Sequence, residues 1–236
     1  MPYLSWISDE KLLAALQVFA DALTRGDEKN AKDSGRNVTD PFAALFTLSF
    51  FNLDHEHWLH MEEFRKKDKT LTNALGNFHQ QVLGSVDGWQ DMGTKAVVDL
   101  VNDDRRIIAE LKNKYNTVKG SDKINIFNDL HSCIYGKVSR FRGYQAYYVT
   151  IIPQRPDGIL RPFVPSDNKS GTKPPEDPAI MEIDGKRFYA LVTGSETALE
   201  DLFNIIPKIL VSKKLSHGID EKSLLMTLQL FHSAFH

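Results

Sequence analysis

Between residues 97 and 115 the chain reads VVDLVNDDRRIIAELKNKY. Two short runs of β-branched and aliphatic residues flank a cluster of charges, and that pattern commits the segment to a β-hairpin. The expected strands cover 96–102 and 106–112. With the turn centred between Asp104 and Arg105, Asp99 stands opposite Glu110 and Val101 opposite Ile108. Opposed residues share a face of the sheet, with Cβ atoms about 5 Å apart. Glu110 and Lys112 are two positions apart and share that face as well. Three charged groups therefore converge on one side of the hairpin, and a register slip of one residue would scatter them.

Charge inside an apolar strand is costly and calls for a reason. Two carboxylates at this spacing repel by about 3 kcal/mol at an effective dielectric near 20. Lys112 offsets part of that, and a divalent cation would offset the rest. Hard oxygen ligands favour Mg²⁺, with Mn²⁺ able to substitute, over zinc. Such an ion polarises a phosphoryl oxygen and lowers the pKa of a coordinated water. A neighbouring lysine can then orient or deprotonate that water, and the set suits hydrolysis of a phosphodiester. The plain alternative is a hairpin end in solvent carrying three ordinary surface charges. Asp-x(10)-Glu-x-Lys alone is a weak pattern.

The remaining chain places the hairpin in context. The first 90 residues read as helices. SDEKLLAALQVFADAL opens with Ser8 as N-cap, and TDPFAALFTLSFF has Asp40 as cap with Pro41 at the first helical position. A longer helical pattern covers 55–83, with Asp68 or Gly76 as its candidate breaks. Ser121 is the expected cap of a helix reaching Tyr135. GYQAYYVTIIP, 143–153, is the clearest strand. Residues 153–178 hold most of the prolines and read as a long loop of the kind that carries function. RFYALVTG reads as a further strand, TGSE as a capping box for a helix reaching Leu210, and 220–232 as a last helix.

Charge is unevenly spread. Residues 1–100 carry 10 Lys and Arg against 15 Asp and Glu, whereas 105–173 carry 13 basic and 5 acidic residues. A focused positive field on a mildly acidic protein suits a polyanion. The single cysteine, Cys133, precludes an intramolecular disulfide and suits a reducing compartment. The start MPYLSWISDE lacks a basic stretch followed by an apolar run, so no signal peptide is expected. No run approaches 18 apolar residues, so no membrane span is expected. The expected location is the cytoplasm.

An Asp closing one strand with Glu-x-Lys on the next resembles the PD-(D/E)xK nuclease core. The whole chain to about residue 210 resembles, more closely, type II restriction endonucleases that cut the palindrome GGNCC. The segments carrying the resemblance are MPYLSWISDE, DPFAALF, FHQQVLGSVDGW, VVDLVN, IIAELKNKYNTVKGSD, GYQAYYVTIIP, RPFVPSDNKSG and FYALVTG. One departure is that Val98, not proline, precedes the Asp. The resemblance implies an α/β fold: a restriction-endonuclease-like core of a central mixed sheet flanked by helices, with an N-terminal helical portion. It implies one domain over 1–236, mainly helical over 1–90, with the catalytic core over 91–212 and a C-terminal helix over 213–236. Asp99 and Glu110 become Mg²⁺ ligands, the Leu111 carbonyl a further ligand, and Lys112 the catalytic lysine. His79 and Gln80 are candidates for an auxiliary side chain from an upstream helix. The reaction implied is Mg²⁺-dependent cleavage of double-stranded DNA, leaving 5′-phosphate ends.

A palindromic target implies a homodimer. A methyltransferase in the same cell would protect host DNA, with no stable complex expected. Guanine is best read by Arg or Lys and cytosine by acceptors. The candidates are Asn113, Lys114, Asn116, Lys119 and Ser121 beside the active strand, and Arg161, Asp167, Asn168, Lys169 and Lys173 on the long loop. Rival readings are a PD-(D/E)xK nuclease of repair or another defence system, and a DNA-binding protein that does not cut. HEHWLH, 55–60, is not a zinc motif, because no acid or cysteine set completes it. Phe78, Trp58 and Trp89 are expected in the core, as is the Cys133 thiol.

Overall fold

The computed structural model describes residues 2–32, 40–93, 96–166, 171 and 173–236. The chain forms two compact units, Met1–Ala15 with His79–His236, and Leu16–Phe78.

Local chemistry accounts for the first helices. Helix α1 (Asp9–Lys32) begins where Ser8 Oγ accepts from the Lys11 amide at 3.3 Å. Helix α2 (Pro41–Phe50) is capped by Asp40, whose carboxylate accepts from the Phe42 and Ala43 amides. Helix α3 (His55–Gly84) starts where Asp54 accepts from the His57 amide at 2.9 Å. It runs unbroken through Asp68 and Gly76. A lone glycine in a helix costs only about 1 kcal/mol, too little to end 30 residues of helix.

Among the described residues the sheet has six strands: β1 (Gln90–Asp91), β2 (Leu100–Asn102), β3 (Ile107–Lys114), β4 (Gln145–Ile152), β5 (Leu160–Pro162) and β6 (Ile180–Asp184). Their order is β1-β2-β3-β4-β6-β5. The pairs β1–β2, β2–β3 and β5–β6 are antiparallel, while β3–β4 and β4–β6 are parallel. Helix α4 (Gly120–Tyr135) makes the crossover from β3 to β4 that a parallel pair requires. Val101 stands opposite Ile108 and Asn102 opposite Ile107, the expected hairpin register. The turn is a four-residue loop, 103–106. The Arg105 amide donates to Asn102 Oδ1 at 2.9 Å, and Arg106 adopts φ 55°.

One face of the sheet is covered by α4. Its Phe127, Leu130, Cys133 and Ile134 pack with Val101, Ile108, Ala146, Tyr148 and Ile180. On the other side, helix α5 (Gly185–Thr193) sets Phe188 5.7 Å from the Trp89 ring and 6.1 Å from Tyr147. Helices α6 (Ala198–Ser212) and α7 (Glu221–Phe235) complete the chain. Among the described residues no helix is long and apolar enough to cross a membrane.

The structure corrects several expectations. RFYALVTG is helix α5, not a strand, and the strand before it is β6, IMEID. Asp184 ends β6 and caps α5 by accepting from the Arg187 amide at 3.0 Å. Phe188, Tyr189 and Val192 then fall on one buried helical face. The cap of α4 is Lys119 rather than Ser121, with no side-chain cap bond. TGSE makes no capping box, since α6 starts at Ala198 after Thr197, again without a side-chain cap bond. The proline-rich segment carries the short edge strand β5. Strand β2 is three residues long, so Asp99 lies just before it. Trp58 is only half-buried, whereas Trp89 and Phe78 are buried.

Gly185 is where α5 meets β4. A Cβ there would lie 2.7 Å from the Ile151 Cα, against main chain that cannot step aside. Gly185→Ala is expected to cost about 2 kcal/mol of unfolding free energy. Gly76 has open space around it, so Gly76→Ala should instead stabilise by up to about 1 kcal/mol. Urea denaturation of the pair measures both signs.

Candidate active site

Glu110 and Lys112 lie on β3 facing the same side as α4, and Asp99 enters from the end of β2. Lys112 Nζ donates to Glu110 Oε1 at 2.5 Å. Asp99 Oδ2 accepts from the Leu111 amide at 2.7 Å, so the carboxylate is tied to the main chain between the other two groups. The Asp99 main chain is held as firmly. Its amide donates to the Ala109 carbonyl at 3.0 Å, and its carbonyl accepts from the Met92 amide at 2.9 Å. The three groups expected to converge do so.

Their electrostatics follow from that enclosure. Burial pushes the Glu110 carboxyl up to about 7, helped by the neighbouring Asp99 charge and opposed by Lys112. Burial raises Asp99 as well, against the pull of the Leu111 amide and of Lys112. Two half-buried carboxyls with one ammonium between them are short of positive charge. Perturbation of this kind marks functional sites. Among the described residues no cluster of three His, Cys, Asp or Glu side chains could hold a metal ion. Two carboxylates fit an ion that keeps most of its waters and takes few protein ligands, which is the habit of Mg²⁺.

The upstream helix candidates separate. Gln80, buried near the end of α3, donates from Nε2 to Asp91 Oδ1 at 2.7 Å and reaches the Asp99 carbonyl at 3.4 Å. His79 turns instead to Tyr189, with Nδ1 2.8 Å from Oη, and desolvation lowers its imidazole to about 4. Asp91 is a residue that the sequence reading missed. Its carboxylate is anchored by Gln80 and by the Gly93 amide at 2.7 Å, and its charge raises Asp99 further. It reaches the site through the pairing of β1 with β2, a two-residue strand with no periodicity to reveal it. The one trace is an acid two positions before a glycine at φ 70°.

Five of the candidate DNA contacts lie at one end of the sheet, where β3 leads into α4. Lys114 closes β3 and is exposed; Asn113 before it is half-buried. Asn116 follows in an exposed turn, Lys119 caps α4, and Ser121 lies in its first turn, both exposed. Because β3, β4 and β6 are parallel, their C-terminal ends share this edge. Arg161 lies on β5 and grips Glu182 Oε2 at 2.9 and 3.0 Å. Lys173 is exposed. Asp167, Asn168 and Lys169 lie outside the described residues. His57 and His60 are exposed and sit beside Asp54 and Glu56 of their own helix or its cap.

Comparison with known proteins follows the same line. Residues 4–215 match the sequence model described as Eco47II restriction endonuclease. The type II restriction enzyme Eco47II of Escherichia coli is 44% identical over 207 residues, covering 88% of this chain and 86% of that protein. The type II restriction enzyme Sau96I of Staphylococcus aureus is 30% identical over 209 residues, covering 87% of this chain and 78% of that protein.

Proposed function

The chain belongs to the Eco47II restriction endonuclease family, and is thus a type II site-specific deoxyribonuclease; on that premise we propose that Asp99, Glu110 and Lys112 form its catalytic centre. The observation that carries this is the trio itself, two half-buried carboxyls raised by burial around one lysine, where β2 meets β3 in a mixed sheet. Restriction enzymes of this type use a divalent metal ion and act on double-stranded DNA. Here Asp99 and Glu110, with the Leu111 carbonyl, would hold Mg²⁺, and Mn²⁺ would substitute. The ion would supply stabilisation of the charge that builds on the scissile phosphoryl oxygens.

The protein's own groups do the rest. Lys112 orients the attacking water and adds a positive charge beside the phosphate. The Leu111 amide keeps Asp99 from swinging away, and Gln80 braces the Asp99 carbonyl directly while it holds the Asp91 carboxylate. Water attacks phosphorus in line, the bond to the 3′ oxygen breaks, that oxygen takes a proton, and a 5′-phosphate remains. Lys114, Asn116, Lys119 and Ser121 contact DNA beside the active strand, with Asn113 behind them. Arg161 and Lys173 are further DNA contacts from the proline-rich segment, whose sequence also holds Asp167, Asn168 and Lys169. The target is the palindrome GGNCC, read by a homodimer with one copy per half-site. The enzyme works in the cytoplasm, where a separate methyltransferase protects host DNA without a stable complex.

A digest tests the reading. Unmethylated plasmid of known sequence is incubated with the protein in Mg²⁺ and in EDTA, and the fragment ends are sequenced. The expected result is discrete Mg²⁺-dependent fragments with 5′-phosphates, all ending at GGNCC. Fragments ending at another sequence would remove the specificity and leave the chemistry. DNA intact in Mg²⁺ and in Mn²⁺ would remove both.

A further inference from the structure

Four side chains stand in one cross-strand row. Glu110 on β3 is paired with Tyr148 on β4, Tyr148 with Glu182 on β6, and Glu182 with Arg161 on the edge strand β5. Paired residues share a face, so Arg161 lies on the same side of the sheet as the candidate catalytic carboxylate Glu110. Three strand spacings separate the two, about 14 Å. That distance is about four base-pair steps of duplex, the span of a short recognition site.

The partners in the last pair differ in their surroundings. The Glu182 side chain is 11% exposed, and that of Arg161 is 67% exposed. Arg161 Nε and Nη2 both donate to one oxygen, Glu182 Oε2, at 3.0 and 2.9 Å. A carboxylate this far from water is costly unless it is paired. Here the cation that pairs with it faces solvent.

The plain alternative is a clamp that fastens β5 to the sheet. Yet β5 is already fastened on both sides of Arg161. Before it, the Ile159 amide donates to Asp184 Oδ2 at 2.9 Å, and the Ile159 carbonyl accepts from the Asp184 amide at 3.0 Å. After it, the Phe163 amide donates to the Ile180 carbonyl at 2.9 Å, and the Phe163 ring stacks on Tyr148 at 4.3 Å. The strand is held without the ion pair.

What the pair adds is direction. Glu182 occupies the Nε side of the guanidinium and leaves the Nη1–Nη2 end as a planar fork of donors. Such a fork matches N7 and O6 of guanine in the major groove. The carboxylate also offsets the charge of Arg161, so the pair gains little from a phosphate backbone, whose pull is electrostatic. Aimed donors with little net charge suit a base edge better than a phosphate.

We propose that Arg161 is a specificity-determining residue that reads a guanine of the target, and that Glu182 is the positioning residue that aims it. This deepens the proposed function and rests on it, since it presupposes site-specific cleavage of DNA.

The test is single-turnover cleavage of duplexes in which each guanine of the cleaved site is replaced in turn by 7-deazaguanine. That base pairs normally and lacks only the N7 acceptor. For the wild type, one position should slow cleavage about tenfold. Arg161→Lys keeps a cation for Glu182 and loses the fork. It should cut the natural duplex at least about tenfold more slowly and cut that one analogue at the same rate as the natural duplex, while the penalty at any other guanine remains. Glu182→Gln should shrink the same penalty to below about threefold. By freeing the Arg161 charge, it should leave binding to a site-free duplex in EDTA unchanged or tighter. Should Glu182→Gln fail to fold, Glu182→Asp keeps the charge but draws it back from Arg161, and should shrink the penalty as well. A wild type indifferent to every analogue, or a penalty undiminished in Arg161→Lys, would overturn the guanine contact. A penalty undiminished in the folded Glu182 variant, or site-free binding that weakens as much as cleavage does, would reduce Glu182 to a clamp and overturn its positioning role. All of these leave the nuclease reading intact. A wild type that cuts no DNA would remove that reading, and the guanine contact with it.

Discussion

Lys112→Ala is expected to lower the rate of DNA cleavage by at least about 10³-fold, while DNA affinity changes less than about threefold. Lys112 is one cation among many on the basic end of the sheet, so its loss hardly alters the field that attracts the duplex. Its distinctive position is beside Glu110, at 2.5 Å, where the reacting phosphate would sit. Removing the ammonium leaves two carboxyls facing each other. Glu110 answers by holding its proton to higher pH, so the fold survives. Single-turnover cleavage in Mg²⁺, set beside binding to the same duplex in EDTA, separates the two effects. Cleavage within tenfold of wild type would remove Lys112 from the chemistry. A parallel loss of binding would recast it as a DNA contact.

Legibility in this sequence followed how local the determining interactions are. The hairpin register followed from centring the turn between Asp104 and Arg105, and β2 pairs with β3 in that register, Val101 opposite Ile108. The caps Ser8 and Asp40 could be read because a cap is a contact across three residues. Strand β6 could not. Glu182 and Asp184 break its alternation, and both are buried only because Arg161 and Arg187 pair with them. Arg161 pairs across strands, beyond any short window. RFYALVTG looked like a strand because its β-branched and aromatic residues favour one. The Asp184 cap and the packing of Phe188 on Trp89 make it a helix. The same limit hid Asp91. Asp99, Glu110 and Lys112 share one hairpin and a recognisable spacing, whereas Asp91 and Gln80 reach them through a two-residue strand and a helix end.

In the absence of metal, the protein should lose stability as pH rises from 6.5 to 8, and Mg²⁺ should restore it. Glu110 has its carboxyl raised from 4.5 to about 7 in the fold, chiefly by burial. A raised group contributes stability that is full below its unfolded pKa and lost as pH climbs through the folded one. Between pH 6.5 and 8 that loss is about 1 kcal/mol, or about 2–4 °C in Tm for a chain of this size. Asp99 is raised too and acts with the same sign. His79, lowered to about 4 by burial, has the opposite sign: its contribution is present above about 6.5 and falls away in acid. The window above 6.5 therefore excludes it. A divalent cation binds the anionic pair, so its affinity rises over the same interval and its stabilising effect is greatest at pH 8. The measurement is thermal unfolding in EDTA and in Mg²⁺ across that range, for wild type and Glu110→Gln. The wild type in EDTA should slope downward and flatten in Mg²⁺. The variant, with no proton to lose at that position, should be flatter in EDTA, more stable than wild type at pH 8, and almost unresponsive to Mg²⁺. An EDTA curve with no difference between the two proteins would mean that Glu110 is already ionised at neutral pH. A full Mg²⁺ response in the variant would place the metal elsewhere.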